Sequence, residues 1–281
     1  MYHRIIPRLD IKGPNLVKGI NLEGLRVLGD PDYFAKKYYE NLSDEIIYQD
    51  CVASLYERKY LLDIIQKTSS HVYIPISVGG GIKSIKDIEK VLSAGADKVF
   101  INSAAIKKPR FLQEASKEFG SANICLSIET AKNEDGQFYC LSNYGRETNN
   151  KKLINWIYEA QQLGVGEIIL TSISHEGMGK GFDKEALDII YDKISVPFIM
   201  HGGAGDEMDI LDILKFKKVS GVALSSLLHY SLITEKTFRF SYKKEGNTQF
   251  LESIRDQNNF KKTNILKIKK FLKKKGIEVR L

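Results

Sequence analysis

Short, nearly continuous apolar runs alternate with amphipathic stretches along the whole chain. The runs cover residues 4–11, 44–51, 72–79, 98–103, 123–130, 167–174, 197–202 and 221–227. Continuous apolarity over so short a span predicts strands buried on both faces, the signature of a parallel sheet. The intervening segments read as helices. Asp30 is an N-cap with Pro31 at the first helical position. Ser84 precedes a segment in which Ile85, Ile88, Val91 and Leu92 form one face and Gly95 ends the helix. Further helices are predicted near residues 109–119, 152–163, 183–193 and 207–216. Eight strands alternating with helices predict an α/β fold, a (β/α)8 TIM barrel spanning residues 1–281 as one domain. An open doubly wound sheet is the alternative.

The pattern also repeats at half-length. Gly79, Glu45, Ser103 and Asp10 are matched roughly 120 positions later by Gly202, Glu167, Ser226 and Glu129. A half-barrel internal repeat favours closure of the sheet and suggests a ligand with two similar ends. Two segments break the rhythm. Residues 12–29 read as a long, glycine-containing loop, the kind that often serves as a lid. Residues 230–260 are polar and weakly periodic, and read as an insertion before the last helix.

Composition narrows the classes. The chain is 43% apolar, and no apolar run reaches the roughly 18 residues of a membrane span. The first ten residues lack a signal-peptide layout, so a cytoplasmic protein is expected. Cys51, Cys125 and Cys140 are scattered and read as buried free thiols. The five histidines show no ligand spacing, so no metal or other cofactor is expected. The net charge of +7 falls on residues 251–281, which hold ten Lys or Arg against three acids. There Ile265, Ile268, Phe271 and Leu272 form a helical stripe whose solvated face explains the lysines better than a nucleic-acid site does.

In such a barrel the reactive groups sit at the strand C-termini. Asp10 and Glu129 end the first and fifth strands on opposite sides of the mouth, an arrangement suited to acid and base work. Gly80 and Gly81, with Asn102 and Ser103 at the next strand end, offer backbone N–H groups and polar side chains to a phosphate. Gly202, Gly203, Ser225 and Ser226 repeat that offer in the second half. Arg4, Glu45, Lys98 and Glu167 begin strands and should ring the opposite end, as a salt-bridge ring or as a gate on the barrel axis.

The runs RIIPRLD, VKGINLEGLRVLGDP, GGGI, GADKV, INSAA, GEIILTS, GGAG and GIEVRL closely resemble the HisF family, the cyclase subunit of imidazole glycerol phosphate synthase. The likeness spans nearly the whole chain outside residues 230–260. It implies a lyase of histidine biosynthesis that works beside a glutaminase subunit of the HisH type. Ammonia from that partner would travel through the barrel to a bisphosphorylated aminoimidazole-carboxamide ribulosyl nucleotide. By this resemblance Asp10 is one catalytic acid or base, and Lys18 belongs to a mobile loop. Asp50, Ser172 and Gly177 lie at the mouth, and Arg4, Glu45, Lys98 and Glu167 form an ammonia gate.

The chain departs from the family pattern at three places. Glu129 replaces an aspartate, a carboxylate about 1.5 Å further out by bond lengths. Glu176-Gly177-Met178 replaces Asp-Gly-Thr. His201 replaces a small residue, and would either add charge at a phosphate or crowd it. All three lie in the second half. Their clustering keeps two alternatives in view: an ammonia-delivery subunit for amidination of a bacterial surface sugar, and a non-catalytic binding subunit.

Overall fold

The fold is described here from a computed structural model, for residues 2–52, 59–239, 241–249 and 259–281. Twelve strands occur in it: β1 (Arg4–Lys12), β2 (Asn15–Ile20), β3 (Glu23–Gly29), β4 (Ile46–Asp50), β5 (Ile76–Gly79), β6 (Lys98–Ile101), β7 (Ile124–Lys132), β8 (Phe138–Ser142), β9 (Glu147–Lys152), β10 (Glu167–Ser172), β11 (Phe198–His201) and β12 (Val219–Leu224). Eight of them pair in parallel in the order β1, β4, β5, β6, β7, β10, β11, β12, and β12 returns to β1 with Arg4 opposite Gly221. The sheet is therefore a closed eight-stranded parallel barrel wrapped by helices, as the alternation of apolar runs predicts.

The strand period of two sorts the barrel residues. Ile5, Leu9, Leu126, Ile128, Ile168 and Leu170 belong to the large apolar core that holds the helices. Their neighbours Ile6, Ile47, Phe100, Cys125, Ile169, Ile199 and Ala223 form a separate apolar layer inside the barrel. The helices start where the sequence places caps. The Asp30 side chain accepts from the Asp32 N–H, and Ser84 accepts from that of Asp87. Asp206 and Asp209 form a reciprocal capping box. The C-terminal helix, Ile265–Lys274, buries Ile265, Ile268 and Leu272, as its stripe predicts. It also buries Lys269, whose ammonium donates to the Leu42 carbonyl and to Asp44 at 2.8 Å.

Several boundaries differ from expectation. Residues 12–29 are not a loop: β2 and β3 form an antiparallel hairpin that continues β1, with Asp10 opposite Val17. Glu129 does not end its strand either. β7 runs on to Lys132 and pairs antiparallel with β8, which pairs with β9. The helix Ser226–Ile233 contains Tyr230, so the segment 230–260 begins inside regular structure. Residues 240 and 250–258 of that segment lie outside the description. The described part ties down the hairpin. The Asn15 side chain donates to the carbonyls of Lys243 and Glu245 and accepts the Lys243 N–H at 2.8 Å, and Val27 donates to the Asn247 carbonyl.

Candidate active site

The mouth is built on the ends of β1, β7, β10 and β11. On β1 the inward positions run Arg4, Ile6, Arg8, Asp10, so one strand threads the whole interior. Asp10 is fully buried. Arg8 Nε donates to its Oδ1 at 3.1 Å, and Lys18 Nζ lies 3.5 Å from its Oδ2. Burial alone would raise the Asp10 carboxyl, but Arg8 and Lys18 overcome that and hold it below the ordinary range. Lys18 is itself fully buried and forms its closer ion pair with Glu176. Glu176 also accepts the Leu22 N–H at 3.2 Å, joining the hairpin to the segment after β10.

Glu129 stands across the barrel in a different setting. Among the described residues its one hydrogen bond is from the Gly145 N–H, at 2.8 Å, and no cation contacts it. Burial pushes its carboxyl up to about 7, with Arg8 and the Gly145 N–H opposing. The two carboxyls thus sit in one interior with opposite shifts, the condition under which one serves as acid and the other as base. They do not share one wall. Glu129 lines a cavity of about 330 Å³ with Asp50, Gly80, Gly81, Asn102 and Ser103. Asp10 lies beneath the Lys18–Glu176 pair and outside that lining.

The two glycine ends are unequal. In the first half Ser103 accepts the Asn143 N–H at 2.9 Å, while the buried Asn102 Oδ1 has no partner among the described residues. In the second half Gly202, Gly203, Ser225, Ser226 and His201 enclose about 20 Å³, under Phe260. Ser225 spends its hydroxyl on the Arg8 carbonyl at 2.8 Å, whereas the buried Ser226 Oγ has no partner among the described residues. The glycines also have structural reasons to be glycine. Gly80 has φ +101°, and a Cβ there would stand 2.3 Å from the Asp50 carbonyl oxygen. Gly203 has φ +113°, and its Cβ would stand 1.9 Å from that of Gly181. Ser172 donates to Asp183 at 2.6 Å, and Gly177 packs on the hairpin at Gly19 and Ile20.

His201 does not add charge. Burial and the neighbouring Arg8 push its imidazole well below the ordinary range, so it is neutral. Arg8 Nη1 lies 3.2 Å from its Nδ1, which must accept, leaving Nε2–H to face Ser225 Oγ at 3.4 Å. Of the two outcomes expected at this position, crowding is the one the geometry supports.

Arg8 is the residue that sequence reasoning passed over. It is 1% exposed and reaches Asp10, Thr171 and His201 at once. The signal was present, an arginine two positions before Asp10 on the same strand face. At the other end of the barrel Arg4, Glu45, Lys98 and Glu167 do come together. Arg4 pairs with Glu45 at 2.9 Å and with Glu167, and Lys98 bridges the same two acids at 3.1 and 3.0 Å. The ring alternates in sign and closes the barrel floor below the apolar layer. Among the described residues no group of three His, Cys, Asp or Glu side chains is placed to hold a metal ion, and no helix is long and apolar enough to cross a membrane.

Comparison with known proteins agrees with this architecture. The sequence pattern of a family described as histidine biosynthesis protein matches residues 4–234. A Legionella pneumophila protein named imidazole glycerol phosphate synthase subunit HisF is 47% identical over 202 residues, 72% of this chain and 95% of that relative. The protein of the same name from Streptococcus sanguinis is 38% identical over 82% of this chain and 92% of its own. That from Staphylococcus saprophyticus is 38% identical over 86% and 97% respectively.

Proposed function

This chain belongs to the histidine biosynthesis protein family, and from that premise we propose that it is the cyclase subunit of imidazole glycerol phosphate synthase. Its relatives at 38–47% identity carry that name over nearly their full length. None of their names points to sugar amidination or to a purely binding role. The observation that carries the chemistry is the pair Asp10 and Glu129, two buried carboxyls of one barrel interior with opposite shifts.

Adding ammonia to a carbonyl carbon requires a base to remove a proton from nitrogen and an acid to supply one to oxygen. Asp10, held ionised, is the base. Glu129, protonated near neutrality and facing the 330 Å³ cavity, is the acid. Gly80, Gly81, Asn102 and Ser103 hold one phosphate of the nucleotide, with Asp50 beside them. Gly202, Gly203, Ser225 and Ser226 hold the other, and this end must open from the closed geometry described above. Lys18, Ser172, Glu176 and Gly177 shape the mouth between them. Ammonia comes from a glutaminase subunit docked at the barrel floor. It enters past the ring of Arg4, Glu45, Lys98 and Glu167 and crosses the apolar layer as the neutral molecule. The chemistry needs no cofactor, and the protein works in the cytoplasm.

The test is direct. The purified chain, given the bisphosphorylated nucleotide and ammonium salt at alkaline pH, should form imidazole glycerol phosphate without the glutaminase. Absence of turnover there removes the reading.

A further inference from the structure

The buried groups of the mouth form a charge count that closes only one way. Arg8 and Lys18 are the cations, and Asp10 and Glu176 are the anions they contact. Lys18 makes its close pair with Glu176, so Arg8 is the main counter-charge of Asp10. These four groups already balance. Glu129, if ionised, would be a fifth charge in the same interior, with no cation in contact among the described residues. An uncompensated buried charge is far more costly than a bound proton.

Lys83 and Lys107 line the Glu129 cavity but are solvent-exposed, and among the described residues neither forms an ion pair with Glu129; the other titratable groups around the pair are these. Cys51, after β4, and Tyr144, after β8, are pushed far up by burial and stay neutral. His201 on β11 and His229 on the helix after β12 are pushed down and are neutral too. Asp50 lies on the cavity wall, and Arg146 acts on Glu129 only from the turn beyond Gly145.

Arg8 is also built in. Its carbonyl accepts from Ser225 Oγ at 2.8 Å and from His229 Nε2 at 3.0 Å, and Tyr38 engages the other nitrogen of His229. Its guanidinium is fixed by Thr171 at 3.0 Å and by His201. Yet Nη2 is buried with no partner among the described residues. A buried donor left without a partner is costly.

We propose that Arg8 is a positioning residue that fixes Asp10 as the ionised base and, committed to that carboxylate, does not serve as the counter-charge that would let Glu129 give up its proton. The role in turnover rests on the cyclase reading; the effect on ionisation does not.

The experiment has two arms. In the first, the Asp and Glu side-chain carboxyls are labelled with 13C and titrated by NMR in the wild type, Arg8→Met, Arg8→Lys and Asp10→Asn, with no substrate present. Arg8→Met should raise the Asp10 midpoint by at least one pH unit, and Arg8→Lys should restore most of it. Asp10→Asn leaves Arg8 in place without its anion, so the Glu129 midpoint should fall. This variant keeps the test open if Arg8→Met does not fold. Unmoved midpoints in Arg8→Met, or in Asp10→Asn, overturn the proposal.

In the second arm, kcat/KM with ammonium is followed against pH. In Arg8→Met the acidic limb should move to higher pH, with rescue by Arg8→Lys. A fall in kcat with both limbs in place would mean a merely structural residue and would refute the inference. If the wild type itself shows no turnover while the first arm behaves as stated, the cyclase reading fails and the ionisation effect stands.

Discussion

Replacing Glu129 by Gln should stabilise the protein, and by an amount that depends on pH. Glu129 has its carboxyl raised from an ordinary 4.5 to about 7 by burial. Between those values the folded chain binds a proton that the unfolded chain has released. The contribution of this group is therefore fully present below about pH 4.5 and is lost as the pH rises through 7. At 1.36 kcal/mol per pH unit the gap corresponds to about 3 kcal/mol. Glutamine has the same shape, can still accept the Gly145 N–H, and does not ionise. The stability difference between Glu129→Gln and the wild type should accordingly grow by about 3 kcal/mol, in favour of the variant, from pH 4.5 to pH 8.5. Urea unfolding of both proteins at the two pH values, followed by circular dichroism, measures it. An offset that is the same at both pH values would refute the argument that Glu129 is protonated in the folded protein near neutrality.

The remaining predictions concern the supports of the site. Lys269→Met removes the buried partner of Asp44, whose side chain is 5% exposed, and should cost about 3 kcal/mol in urea unfolding, while Lys273→Met on the exposed face of the same helix should change little. Lys98→Met leaves Glu45 and Glu167 to Arg4 alone. Because the lysine is 20% exposed the loss should be smaller, about 2 kcal/mol, read from the urea midpoint. Gly203→Ala forces a side chain onto the Gly181 carbonyl at a positive φ and should cost at least about 2 kcal/mol, lowering the melting temperature measured by calorimetry.

The barrel was legible because each of its strands is covered on both faces and so leaves an unbroken apolar run. The hairpins were not. In β2 and β3, Lys18, Gly19 and Arg26 interrupt the apolar pattern, and β9 reads Glu-Thr-Asn-Asn-Lys-Lys with no apolar residue at all. Such strands are held by pairing to a neighbour rather than by burying their own side chains, and periodicity does not register that. The meeting of the four residues of the floor ring was legible from strand position, whereas Asp10 and Glu129 were expected at strand ends and lie within β1 and β7. Arg8 was not legible, because an arginine inside an apolar run reads as a chance interruption until the partners on β10 and β11 are in place. The inequality of the two glycine ends was hidden for the same reason: repeat symmetry predicts the backbone, and His201 with Phe260 then fills one copy.

The hydrogen bonds that tie Asn15 to Lys243 span 228 positions of the chain. Translation at about 5–20 residues per second separates the two partners by roughly ten to forty-five seconds. For that interval the first hairpin leaves the ribosome with its latch still unmade. This latch therefore cannot be made until every one of the eight strands of the wall has been synthesised.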